Sequence, residues 1–522
     1  MPITFTLGNV NTKLSGDIPT DVITEMTRFR PEGYQFSRLF KRHMWDGYNK
    51  VYNTRRKQLP TGLVPRVVER LRKLKYDVVV VDEREMPADE IIPDVALSGI
   101  ELREQQIEAI KIATEKHRGI CKASTGFGKT EVLGGLSYAF GVPTLVLVPS
   151  KDLLNQAVKR LNERLPNLPI GVIGDGVWEP DDVVVATFQT LLRRLEGGWT
   201  KAQMQDIKEQ LLTGDLTEDA YEDVILLGEE KDQIRQETLD LLATFDMLII
   251  DEAKHAKASS WLSVVEACPA YFRFGFDATP FTNPPGSELV LIGATGEIIY
   301  DFSLVDAVEA GISVKPLAWF LNYPGNKDEP KIPGKLQGLE KYQDVYNSAV
   351  IVNEYRNEAI REIATAAKAA KLPTLITVTR IEHGELLSEM LGWPFLRGSV
   401  TSAKRRSVQN RVNSGKIPGF ISTVSKEGLD IPNLTCIINA GGGKAPHNVI
   451  QTIGRGVRQG IHPYCLYFDF NDLQNRNLTA HTRARMKALK SEQVDYIVSN
   501  SVPDIGDSVA MRKLAGVALE AA

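Results

Sequence analysis

Two long stretches of this chain repeat one pattern, a strand-sized apolar run followed by an amphipathic helical stretch. In the first, from Leu102 to about Tyr300, the clearest runs are Thr144–Val148, Val183–Thr187 and Met247–Ile250. In the second, from about Lys315 to Phe470, they are Leu375–Val378, Gly419–Thr423, Cys436–Ile438 and Cys465–Phe468. Strands that are apolar at nearly every position suit burial on both faces, and intervening helices suit the crossovers of a parallel sheet. The expected fold is therefore α/β with two parallel-sheet domains. At 522 residues the chain also exceeds one core, since cores stop growing at about 250 to 300 residues.

The remaining segments complete the expected organisation. Residues 1–95 read as a small α+β unit, with a strand over Ile3, Phe5 and Leu7, a helix from Val64 to Leu74 and a buried-strand pattern from Tyr76 to Val81. Glu85 to Pro93 reads as a linker. The first sheet domain then occupies 96–312 with an acidic helical insertion at about 195–242, the second 313–475, and 476–522 a helix followed by a tail. The apolar runs fall far short of the roughly 18 residues of a membrane span, and Met1 to Phe5 lacks the layout of a secretion signal. Four scattered cysteines suit small core residues in a cytoplasm.

Net charge is only −4, but it is unevenly spread. Between Arg28 and Lys75 stand fourteen Lys/Arg against three Asp/Glu, whereas Glu196 to Asp240 holds four against thirteen. A polyanion is expected to touch the first segment and avoid the second.

Three groups of residues carry chemistry. Ala123-Ser124-Thr125-Gly126-Phe127-Gly128-Lys129-Thr130 follows an apolar run and precedes a helix, the setting of a phosphate-binding loop. Its amides suit a polyphosphate, Lys129 the terminal phosphates of ATP, and Thr130 a Mg2+ ion. Asp251 and Glu252 close a strand, where Asp251 suits the same Mg2+ and Glu252 the orientation or deprotonation of an attacking water. In Gln451-Thr452-Ile453-Gly454-Arg455-Gly456-Val457-Arg458, the two arginines lie three apart on one helix face and suit a γ-phosphate.

Taken in order, these groups resemble the superfamily 2 helicases, and within them the UvsW-like phage helicases related to RecG and XPB-type motors. The resemblance runs from about Leu102 to Leu489 and implies two RecA-like motor domains preceded by a small accessory domain. Leu102-Arg103-Glu104-Gln105-Gln106 is similar to the element whose glutamine contacts adenine, which implies nucleotide-binding roles for Arg103 and Gln106. Pro149 and Ser150, Thr187 and Gln189, and Thr423 match motifs that touch the nucleic-acid backbone. Gly428 and Asp430 match a motif near the nucleotide, and Gln451, Arg455 and Arg458 the last motif. Asp251-Glu252-Ala253-Lys254 resembles the DEAD/DEAH box and Asp277-Ala278-Thr279-Pro280 the third motif. Two positions depart from the pattern: Lys254 stands for His or Asp, and Asp277 for Thr or Ser.

The resemblance implies an ATP- and Mg2+-dependent DNA helicase or translocase acting on single-stranded and branched DNA in recombination, repair or replication restart. A DNA–RNA hybrid is a further partner, a membrane is not, a monomer is favoured, and a phage origin would place the protein in a bacterial host's cytoplasm. The alternatives are a duplex translocase, an ATP-gated strand-annealing clamp and, with less support, an RNA helicase. In the N-terminal unit, Arg55, Arg56 and Lys57 suit phosphate contact, and the aromatics from Phe29 to Tyr52 suit a small core more than base stacking.

Overall fold

A computed structural model describes the chain except residues 89, 93, 125, 214, 282–285, 332–338, 424–433, 444–445, 458–461 and 517–522. The chain divides into two compact units, one of Met1–Ala123 with Gly128–Asp301 and one of Ser124–Phe127 with Phe302–Ala522.

The first unit opens with a four-stranded sheet of β1 (Ile3–Thr6), β2 (Asn11–Ser15), β3 (Gln58–Pro60) and β4 (Val78–Val81), in the order β3-β2-β1-β4. Alternation places Ile3, Phe5 and Leu14 in the core, with Phe5 opposite Leu14 across an antiparallel pair. The expected buried strand at Tyr76–Val81 is shorter and differently placed. Among the described residues β4 is an edge strand paired with β1 alone, and Val79 and Val80 stay 42% and 39% exposed while Val78 is covered. An apolar run does not say whether a second neighbour will arrive.

This sheet does not hang on a tether. Leu59, Leu63 and Val64 share one core with Leu289, Leu291 and Ile292 of the following domain. Arg66 donates to both carboxylate oxygens of Glu297 at 2.7 and 2.8 Å. The stretch read as a linker lies against the same body, with Ala88 buried, the Ile92 amide bonded to the Ala139 carbonyl and Arg84 over the Tyr271 ring.

The larger sheet of this unit holds β5 (Arg118–Ala123), β6 (Thr144–Val148), β7 (Ile170–Gly174), β8 (Val177–Glu179), β9 (Val183–Thr187), β10 (Met247–Asp251), β11 (Phe272–Asp277) and β12 (Ile298–Phe302). Their order is β8-β7-β9-β6-β10-β11-β5-β12. β5, β6, β7, β9, β10 and β11 run parallel, and β8 turns back antiparallel on β7. The acidic stretch forms two helices, Lys201–Thr213 and Glu218–Ala243, before β10.

The second unit is built on β13 (Lys315–Leu321), β14 (Thr374–Thr377), β15 (Phe395–Leu396), β16 (Gly419–Ser422), β17 (Cys436–Asn439), β18 (Tyr464–Phe470) and β19 (Tyr496–Ser499). They form a wholly parallel sheet in the order β15-β16-β14-β17-β18-β13-β19. The expected C-terminal tail is in part structural: β19 pairs with β13, and Ile505, Met511 and Ala515 join the core, while the last six residues lie outside the described set. All four cysteines are free and buried, and burial pushes the Cys121 and Cys436 thiols up to about 12. Among the described residues no helix is long and apolar enough to cross a membrane.

Close backbone approach, rather than side-chain burial alone, seats the N-terminal sheet. A Cβ on Gly62 would lie 1.9 Å from the Ile292 carbonyl oxygen and 2.8 Å from that of Gly293. Gly62→Val should therefore destabilise the first unit by at least about 1–3 kcal/mol, the scale of overpacking, and speed proteolysis near residue 90. Gly398→Ala, at a glycine with open space around it, should not. Urea melts and timed digestion of both variants check this.

Candidate nucleotide site and the strand-end edge

Parallel pairing sends the C-terminal ends of neighbouring strands to one edge of the first sheet. Asp251 pairs with Phe276, Asp277 with Lys122, Ile250 with Leu147 and Thr187 with Val148. The phosphate-loop, the carboxylate pair, Pro149 and Gln189 consequently leave the sheet on the same side, where open α/β sheets place their ligands.

After β5 the chain turns through Gly126 and Gly128, at φ +92° and +85°, backbone that strains any side chain with a Cβ. The helix Lys129–Phe140 begins directly on Gly128 with no side-chain cap, leaving its first amides directed at the loop. The Ser124 hydroxyl is buried without a hydrogen-bond partner among the described residues. These features fit an anion that accepts from backbone and hydroxyl donors. Gln106 and Arg103 abut the loop: a Cβ on Gly128 would lie 2.4 Å from Gln106 Nε2 and 3.3 Å from Arg103 Nη2. The Arg103 amide donates to Gln106 Oε1 at 3.0 Å, which fixes the buried glutamine. Thr125 lies outside the described residues.

A contribution absent from the motif reading fixes the helix from behind. Glu131, two residues after Lys129, is buried and accepts from Arg160 and Arg164 at 2.7 Å each. Its position in the first helical turn was the available signal, but its partners are about thirty residues away.

Asp251 ends β10 and Glu252 follows it in left-handed backbone at φ +51°, its amide bonded to Asp251 Oδ1 at 3.0 Å. Such a conformation in a non-glycine residue stores strain that the neighbouring contacts must hold. Burial, then the adjacent Glu252 charge, push the Asp251 carboxyl upward against the pull of Lys129. Burial also opposes ionisation of Glu252, but Lys129 and Lys254 outweigh it and hold that carboxyl below its ordinary value. Lys129 thus reaches the field of both carboxylates. A buried acid pair of this kind fits a divalent cation held by Asp251 with Thr130.

The two departures from the family pattern meet each other. Asp277, fully buried, accepts the Lys254 amide at 2.9 Å and the Thr279 amide at 2.7 Å. Its carboxylate also lies 3.9 Å from Lys254 Nζ, which donates to Glu252 Oε2 at 2.5 Å. Lys254 therefore joins the end of β11 to the carboxylate expected to handle water. His255 stacks on Trp261 at 5.7 Å, and Trp261 on Phe188 at 4.1 Å, which favours a packing role for this histidine.

The residues expected to follow a nucleic-acid strand divide into two sets. Gln189 donates to the Pro149 carbonyl at 2.8 Å, tying two of these elements together, and Ser150 caps the helix Lys151–Arg164 through the Leu153 amide. Thr187 is buried with its hydroxyl 2.8 Å from that of Thr190, so in this conformation it shapes the turn instead of facing outward. Arg55, Arg56 and Lys57 are exposed on the turn closed by the Asn53 and Gln58 bridge.

In the second unit Thr423 follows β16, its amide bonded to Leu396. Gly428, Asp430 and Arg458 lie outside the described residues. Gln451 and Arg455 sit on the helix Pro446–Gly456. The second unit also holds buried ion pairs, Arg356 with Asp472 and Arg485 with Asp469, each at 2.9 Å. Arg485 also donates to the carbonyls of Gly442 and Gly443 at 2.8 and 3.1 Å.

Residues 99–282 match the family described as type III restriction enzyme, res subunit, and residues 355–460 the helicase conserved C-terminal domain. The chain is 23% identical over 394 residues to DNA 3'-5' translocase XPB2 of Sulfurisphaera tokodaii, covering 69% of this chain and 79% of that protein. It is 22% identical over 466 residues to ATP-dependent DNA helicase uvsW of Enterobacteria phage T4, covering 83% and 82%. Of three further relatives, a viral and two archaeal ones, it spans between 54% and 63% of the length. In fold it is similar to S. cerevisiae Dbp5 bound to RNA and ADP BeF3, with a TM-score of 0.50, 15% identity and coverage of 79% and 92%.

Loss of the Asp277 carboxylate leaves two half-buried amides without their acceptor, at a cost of about 1 kcal/mol each. Asp277→Ala should lower stability by that order and slow ATP turnover, and Asp277→Asn, which keeps one acceptor, should lose less. A double-mutant cycle with Lys254→Met should give a coupling of roughly 0.5–3 kcal/mol in turnover, the range for groups in contact. Strict additivity would mean that the pair does not act as a unit.

Proposed function

Because the chain belongs to the superfamily 2 helicases, nucleic-acid-dependent ATPases, we propose that it is a DNA motor that unwinds or remodels branched DNA such as forks and junctions. The observation that carries this reading is the shared strand-end edge: Lys129, Asp251 and Glu252 leave the first sheet on the same side as Pro149 and Gln189, and Gln106 abuts the phosphate-loop there. Groups on one rigid edge respond together when one of them is engaged. The basic turn at Arg55 to Lys57 adds phosphate contact, and the name of the phage T4 relative, a DNA helicase, supports DNA over RNA.

In this reading the loop amides and Lys129 bind the polyphosphate, and Gln106 with Arg103 orients the base end. Mg2+ held by Thr130 and Asp251 supplies neutralising charge for phosphoryl transfer when bound. Glu252 is ionised at neutral pH and orients or deprotonates water, while Lys254 fixes its carboxylate. By the family resemblance Arg455 and Arg458 supply positive charge to the transition state, and Gln451 belongs to the same motif. The resemblance assigns Gly428 and Asp430 to nucleotide binding, and Ser150, Thr187 and Thr423 to the strand-contact elements.

The name of the archaeal relative supports a second reading, duplex translocation without strand separation. Displacement of a labelled strand distinguishes the helicase, whereas a translocase only strips a bound triplex. Turnover measured without nucleic acid and with single-stranded DNA, forked DNA and RNA tests the reading as a whole. Forked DNA should stimulate most.

Glu252→Gln should keep ATP binding and slow turnover by at least roughly a hundredfold, the scale of losing a general base. Arg455→Ala and Arg458→Ala should each reduce turnover more than ATP affinity. Near-parental rates in all three would reject the assigned chemistry. Removing residues 1–92 would strip the shared core, so the basic turn is tested in the full chain. Arg55→Glu, Arg56→Glu and Lys57→Glu together should weaken fork binding and flatten its dependence on salt, because each lost phosphate contact releases less counterion.

A further inference from the structure

The N-terminal unit carries a second feature that the strand-end edge does not use. Residues 34–44 fold into a short turn, a four-residue helix at Arg38–Lys41 and a return turn. Tyr34 and Phe40 meet edge to face at 5.0 Å, and a Cβ on Gly47, at φ +80°, would lie 2.9 Å from Tyr34 and 3.1 Å from Phe40. Arg28 and Arg30 lie over the Tyr48 ring at 4.1 and 4.5 Å, and the Met44 amide bonds back to the Leu39 carbonyl at 2.9 Å. These contacts fix the segment as a knob held by the half-buried rings of Tyr34, Phe40 and Tyr48.

On the outside, three large apolar side chains face solvent: Phe36 at 73%, Met44 at 71% and Leu39 at 53% exposure. Tyr34, Phe40 and Tyr48 already make the internal ring contacts of the knob, and these three side chains take no part in them. Apolar groups held out on a fixed scaffold mark a contact surface. The charges around them select the partner. Arg30, Arg38, Lys41 and Arg42 are exposed, whereas Asp46 is paired with Lys50 at 3.0 Å, leaving Glu32 as the other acid of the segment. A basic rim suits a polyanion, and apolar tips suit the faces of bases, which nucleic acid offers only where its stack is open.

We propose that residues 34–44 form a base-contacting knob, in which Phe36, Leu39 and Met44 seat against bases exposed where a duplex opens, while Arg38, Lys41 and Arg42 hold the flanking phosphates. The assignment rests on the DNA-motor reading and gives it a specificity element, since plain duplex has no open base for the tips.

The test uses the full chain without ATP and a fork carrying 2-aminopurine at its first unpaired position, beside a plain duplex of equal length. The parent protein should change the probe's fluorescence and prefer the fork. Phe36→Ala, Leu39→Ala and Met44→Ala combined should abolish that change and weaken fork binding roughly tenfold, the order of one lost base stack, with the salt slope and duplex affinity kept. Phe36→Trp, which preserves a stacking face, should retain the signal. Melting curves confirm that the variants fold. An unchanged signal and fork affinity in the triple variant would overturn the proposal, as would equal losses on fork and duplex. Failure of the motor reading shows separately, as ATP turnover of the parent chain that no DNA stimulates.

Discussion

The register of β10 between β6 and β11, and of β11 against β5, determines where the chemistry of the first unit sits. Asp251 is level with Phe276, and Asp277 with Lys122, so the carboxylate pair and the phosphate-loop emerge side by side. A slip of one residue would turn every side chain of a strand to the opposite face and bury the wrong groups. Asp277 locks the arrangement after the strands end, because its carboxylate accepts amides from the chain following β10 and from its own turn. The strained backbone at Glu252 is held within that frame.

Two kinds of buried charge support the two sheets. Glu131 fixes the helix after the phosphate-loop through Arg160 and Arg164, both on the next helix. In the second unit Arg356 and Arg485 are wholly buried beside Asp469 and Asp472. Desolvating such ions costs several kcal/mol each, roughly what their pairing returns, so their value lies in geometry more than in stability. Arg485 also donates to the carbonyls of Gly442 and Gly443, ahead of the helix Pro446–Gly456.

The shared core of the N-terminal sheet and the first large sheet changes how the basic segment acts. A tethered body adds contact through a local concentration set by linker length. A docked one presents its charges at fixed positions without that ordering cost. The Arg66 and Glu297 bridge and the glycine contact at Gly62 make the second description the applicable one.

Much of this molecule was determined locally by sequence. Apolar period marked β6, β9 and β10 nearly to the residue, because a strand buried on both faces must be apolar throughout. Glycine at positions of positive φ marked the phosphate-loop, since that backbone excludes other residues at little else than steric cost. The family pattern also identified Lys254 and Asp277 as two separate departures. Only the tertiary structure joined them into one contact, made β4 an edge, turned Thr187 inward, drew β19 into the second sheet and left Phe36, Leu39 and Met44 in solvent. Each of these depends on which distant segment becomes a neighbour, and neighbours are chosen by packing across the whole fold, which no window along the chain contains.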